Sequence, residues 1–165
     1  MENEEKLTKL KHTVYISGIG VILYGLWSIL KVFISYITGD DVFGLEDIEF
    51  DIEYISFQKS FLVILMCVII VVLMVLHYYV GKKAMEVGRY NSKKRFFLIP
   101  AVCLLIFYIS CVPDSIANMF EDLTDLDILL VSFMVDVGLI VLMIEMIISI
   151  IKISYLEKKI GTKRD

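Results

Sequence analysis

The stretch 127–155, DILLVSFMVDVGLIVLMIEMIISIIKISY, is long enough to cross a bilayer as a helix, yet it carries Asp136 and Glu145 where hydrocarbon should lie. Ionisable side chains at that depth are costly enough to need partners from the rest of the chain. Hydrophobic residues make up 58% of the chain and the mean hydropathy is +0.79. A soluble domain is nearer to roughly half apolar, so this composition indicates an integral membrane protein. The net charge of −4 averages over compartments that never meet, and only its distribution is informative.

Three more apolar runs precede the first one quoted. Together they predict an all-α fold of four transmembrane helices in an antiparallel bundle, a single domain over 1–165 with spans near 13–38, 61–80, 96–112 and 128–155. Run 13–38 follows a mixed-charge lead, MENEEKLTKLKH. It is too long for the core of a signal peptide and ends without a small-residue cleavage site, so it reads as a retained span. Run 61–80 ends in His77-Tyr78-Tyr79, aromatic residues at the expected interfacial level. Run 96–112 carries Pro100 about one turn in, where a kink is expected. Thr124 and Asp127 read as a capping box opening the last span.

Lys and Arg fix the predicted orientation. The connection 81–95 holds Lys82, Lys83, Arg89, Lys93, Lys94 and Arg95, and the C-terminal tail holds Lys158, Lys159, Lys163 and Arg164. Connections 39–60 and 113–127 hold Lys59 alone among the basic residues and are strongly acidic. The positive-inside rule then puts both termini in the cytoplasm of a multi-pass cell-membrane protein. In the first acidic connection DIEFDIEY, residues 47–54, alternates charge with apolar side chains, the pattern of an extended segment. It lacks the glycine and terminal glutamate of a calcium loop, so a solvated acidic cap is the expectation. In the second, Pro113 and Ser115 read as the turn and start of a short interfacial helix.

Within the spans, Ser17, Tyr24, Ser28, Lys31, Ser35 and Thr38 recur at helical spacing, a stripe that belongs against protein. Counted from the outer ends of antiparallel helices, Lys31 and Asp136 fall at similar depths, roughly 10–13 Å below the outer surface at the helical rise. An intramembrane Lys31–Asp136 pair is therefore expected; the alternative is a snorkelling Lys31 beside a neutral Asp136. Glu145 lies across the helix from Asp136 and shares a stripe with Gly138, Ser149 and Lys152. That stripe is expected on the outside of the bundle, covered by a second copy or another membrane protein. His77 is either a hydrogen-bond partner of Glu145 or an interfacial residue facing headgroups, and Gly18 and Gly25, seven apart, allow a neighbouring helix to come close.

Motifs of catalysis are missing: Asp136-Val137-Gly138 lacks the setting of an intramembrane aspartyl protease, and there is no GxSxG or HExxH. Cys67, Cys103 and Cys111 form no CxxC, and Cys103 and Cys111 are too far apart on one helix to bridge. No enzyme, cofactor, metal site or nucleic-acid partner is predicted. The expected partners are the bilayer, anionic headgroups at the basic 82–95 segment, and another membrane polypeptide. Function is read as non-catalytic binding, an accessory or regulatory subunit. The alternative is a proton- or ion-coupled carrier or channel using Lys31, Asp136 and Glu145.

Overall fold

The computed structural model describes residues 2–38, 55–90, 95–121 and 126–161. Within these, the side chains of 2, 28, 31–38, 55–59, 66, 90, 114–115, 117–121, 126–129 and 160–161 are left aside. The fold is all-helical: α1 spans Glu2–Thr38, α2 Ile55–Tyr90, α3 Leu98–Glu121 and α4 Leu126–Gly161. No strand occurs among the described residues.

The helices extend beyond their apolar runs. The mixed-charge lead is the first part of α1, supported by a Lys9–Glu5 pair at 2.8 Å in i,i+4 register, and α2 carries its helix through Lys82 and Lys83 to Tyr90. Two helices, over Ser60–Arg89 and Leu130–Lys159, are long and apolar enough to cross a membrane. The apolar part of α3, Leu98–Pro113, is shorter.

Both prolines act differently from expectation. Pro100 is the third residue of α3, in the first turn, where a missing N–H has no intrahelical acceptor to lose and no kink is required. The donors around it are used in a tightened entry, with Leu98 N–H donating to the Arg95 carbonyl at 3.0 Å and Ile99 N–H to that of Phe96 at 3.2 Å. Pro113 lies inside α3 rather than at a turn, and the helix continues past it to Glu121 without a separate interfacial helix starting there. Its ring has no N–H to donate to the Ile109 carbonyl, a loss of one intrahelical bond. The acidic repeat 47–54 and Thr124 of the proposed capping box fall outside the described residues.

The packing follows a heptad rule. On α4 the buried hydrophobic residues are Leu139, Met143, Met146, Ile150 and Ile153, alternating steps of four and three; Phe97 just before α3, with Ala101 and Leu104 within it, does the same. Val14, Gly18, Val21 and Gly25 form the corresponding seam of α1, and His77, Val80, Gly81, Ala84 and Val87 that of α2. This is the geometry of antiparallel coiled-coil-like packing. α1 packs against both α2 and α4, α3 packs against α4, and α2 meets α3 only thinly. The core lies toward the end that holds the start of α1, the end of α2, the start of α3 and the end of α4.

The α1–α2 seam is unusually close because it is lined with glycine. A Cβ placed on Gly18 would lie 2.7 Å from the Gly81 carbonyl oxygen, and one on Gly81 would lie 2.5 Å from that of Gly18. One heptad further, a Cβ on Gly88 would lie 2.6 Å from the Lys11 carbonyl oxygen, and at the other end one on Gly25 would lie 2.7 Å from His77 Cβ. Such backbone approach supplies dispersion contacts that hold the two helices together.

Candidate functional site

The glycine seam positions the most buried polar side chain of the described residues. His77 is 1% exposed, its ring seated on Gly25 of α1. Its Nδ1 lies 2.6 Å from the Leu73 carbonyl one turn back. A carbonyl can only accept, so Nδ1 carries the proton; in the neutral ring Nε2 is then an acceptor, and the Tyr108 hydroxyl donates to it at 2.9 Å. The two rings meet edge to face with centroids 5.6 Å apart. This bridge spans the thin α2–α3 contact. His77 therefore neither faces headgroups nor binds Glu145, since both of its ring nitrogens are taken within the bundle.

The stripe expected on α4 is divided. Gly138 faces inward, where a Cβ would sit 2.7 Å from the Tyr24 hydroxyl, and Ser149 is buried at 4% exposure. Glu145 and Lys152, on the flank of that same stripe, are exposed. A stripe four residues wide covers enough of the helix circumference for its edge to lie beyond the contact, so the wheel position alone placed these residues together. Among the described residues the Glu145 carboxylate has no hydrogen-bond or ion-pair partner, and its neighbours on that face are the exposed Val141, Ile144 and Ile148. Asp136 is half-buried and engaged, as are Ser132 and Tyr24. The Lys31 side chain falls outside the described residues.

A polar cluster that sequence reasoning missed ties the core end together. Glu157 Oε1 lies 3.5 Å from Lys11 Nζ of α1, and Arg95, just before α3, donates from Nη2 to Glu157 Oε2 at 3.3 Å and from Nε to Ser154 Oγ at 3.2 Å. Ser154 in turn donates to the Ile150 carbonyl at 3.1 Å. One carboxylate thus links α1, the entry to α3 and α4. The signal in the sequence was an acidic residue standing within a basic tail.

Several cations of the basic segment are engaged locally: Lys83 binds Glu86 at 2.7 Å, Lys82 stands 5.7 Å from the Tyr78 ring centroid, and Arg95 is held as above. Two clefts flank α1 at this end. One of about 410 Å³ lies toward α2 and is lined by Thr8, Lys11, His12, Tyr15, Gly88 and Arg89. The other, about 640 Å³, lies toward α4.

Compared with known protein families, curated proteins and solved structures, the chain matches none of them.

Proposed function

We propose that this chain is a four-span integral membrane protein of the cell membrane, with both termini cytoplasmic, that acts without catalysis by binding another membrane polypeptide as an accessory or regulatory subunit. The membrane part of the reading is supported by α2, an apolar helix of which only 6% is buried over its spanning stretch. Phe61, Ile64, Val68, Val71, Val72 and Val75 are all more than half exposed, and in water such a surface would drive aggregation. In hydrocarbon it is simply solvated. The charge asymmetry of the connections supports the orientation.

The binding part rests on Glu145. An exposed carboxylate without a partner among the described residues, set among Val141, Ile144 and Ile148 on a spanning helix, is intolerable in lipid and is relieved by a partner that supplies a hydrogen bond. A second copy is the simplest such partner, with two Glu145 carboxyls sharing a proton across a parallel α4–α4 contact. Asp136, paired with Lys31, belongs on this reading to the interior. The carrier alternative would have Asp136 and Glu145 on one path, whereas Glu145 opens outward beside the bundle.

The test is cross-linking in native membranes through a single cysteine at Ile148, 44% exposed, with Cys67, Cys103 and Cys111 replaced by serine. A dimer band at Ile148, absent from a cysteine at buried Ser149 and weakened by Glu145→Leu, is expected. A cross-link to a different polypeptide keeps the subunit reading and replaces the second copy. No adduct of either kind, together with proton or ion flux in liposomes abolished by Asp136→Asn, overturns the binding reading in favour of a carrier. Recovery of the chain in the soluble fraction overturns the membrane reading itself.

A further inference from the structure

The larger cleft at the core end joins two chemistries. Its floor is apolar, made by Leu10 of α1 with Ile151, Tyr155 and Leu156 of α4, and its rim carries Lys6, Lys9 and Lys152. On α1 the contributing positions are i, i+3 and i+4, and on α4 they are i, i+1, i+4 and i+5, so each helix presents one face to the same groove. Long lysine stems cover such a floor while their ammoniums stay at the wet edge. Lys152 is exposed and has no partner among the described residues, and Lys9 is shared with Glu5 at 2.8 Å in a pair whose members are 75% and 69% exposed. A pair that open yields readily to a stronger anion.

We infer that this groove is a site for one anionic phospholipid, whose headgroup phosphate sits among Lys6, Lys9 and Lys152 while an acyl chain lies along Leu10, Ile151 and Leu156. This rests on the membrane reading above, which puts the groove at the cytoplasmic interface, where anionic lipid is concentrated. Charge complementarity selects the occupant. A zwitterionic headgroup would bring its own cation to a rim that already carries three lysines. The site is distinct from the 82–95 segment, where the Lys83–Glu86 and Arg95–Glu157 pairs are far less exposed than the Lys9–Glu5 pair. The groove has about 640 Å³ of space, enough for a headgroup and the first part of a chain.

The experiment is native mass spectrometry of the full chain in detergent, titrated with phosphatidylglycerol or phosphatidylcholine and counted as lipid adducts. Wild type should retain phosphatidylglycerol in preference to phosphatidylcholine. Each lysine at an anionic surface contributes on the order of a fivefold affinity, so the Lys6→Gln/Lys9→Gln/Lys152→Gln variant should weaken the phosphatidylglycerol adduct by roughly tenfold or more. The matched variant Lys82→Gln/Lys158→Gln/Lys159→Gln, which removes the same charge elsewhere, should keep it. All six positions are surface lysines, so both proteins remain folded, and Leu156→Trp provides a second arm by filling the floor without touching charge. Equal losses in the two triple variants would reduce the effect to net charge and overturn the site. So would competition by glycerol phosphate as strong as that by the lipid, which would make it a phosphate site without a chain. A chain that proves not to be membrane-bound on fractionation sinks the proposed function first, and that result is separate from the adduct counts.

Discussion

Replacing Gly81 by alanine adds one methyl group at the tightest point of the α1–α2 seam, and two effects of opposite sign compete. Alanine is favoured over glycine within a helix by about 1 kcal/mol. Against that, the new Cβ would lie 2.5 Å from the Gly18 carbonyl oxygen and 2.5 Å from Ile22 Cγ1, so to reach contact near 3.4 Å the facing backbone must retreat by roughly 0.9 Å. The oxygen is part of a helix and cannot move alone. A shift of that size loosens the seam along the heptads above and below, including Gly88 against Lys11 and Gly25 against His77, and overpacking of this kind costs about 1–3 kcal/mol. Loss of the contact should win, with a net destabilisation of up to about 2 kcal/mol. Gly20 provides the control. There the added methyl meets the Leu142 Cδ1 tip at 2.5 Å, a flexible end that can rotate away, so Gly20→Ala should be neutral or slightly stabilising. Both can be followed in detergent unfolding by the fluorescence of Trp27, the single tryptophan. If Gly81→Ala is as stable as wild type, or if Gly20→Ala is the more damaging of the two, the close backbone approach is not what holds α1 to α2.

Removing the hydroxyl with Tyr108→Phe leaves His77 Nε2 buried without its donor and should destabilise by about 1–3 kcal/mol in the same assay; a loss below a few tenths of that would mean water or another group takes its place. Glu157→Gln releases Lys11 and Arg95 together, and because these side chains remain 16–28% exposed the loss should be modest, about 1 kcal/mol, and should shrink in high salt. A salt-independent loss would point instead to packing. For the proposed intramembrane pair, Lys31→Met and Asp136→Leu should each destabilise while the double change recovers most of the loss, because a stranded charge is worse than none. Simple additivity of the two single effects would show that no pair exists.

Helix number and order could be read from the sequence, since each of the four apolar runs corresponds to one of the four helices. The rotation of each helix could not. In water the apolar stripe marks the buried face, but here Val72 and Val75 are exposed and Val80 is buried with no difference in residue type to tell them apart. The usable signal was size. Gly18, Gly25, Gly81, Gly88, Ala84 and Ala101 mark contact faces, and only the first two were read that way from sequence. His77 was placed by its aromatic neighbours, Tyr78 and Tyr79, which are exposed; one residue earlier the helix turns inward to Gly25. Pro113 misled because a proline beside Asp and Ser resembles a loop, whereas α3 accommodates it and runs on.

The uneven seams also set where the molecule would part if it had to widen. Drawing α1 away from α2 breaks close contacts spaced over two heptads, and drawing α1 or α3 from α4 opens the core of leucine, methionine and isoleucine. Between α2 and α3 little more than the His77–Tyr108 bond has to give, worth about 1 kcal/mol net. The ring of helices is therefore a horseshoe with a latch, and the latch faces sideways. Any breathing of the bundle is channelled into one lateral slit along α2 and α3, with the other three joints serving as its hinge.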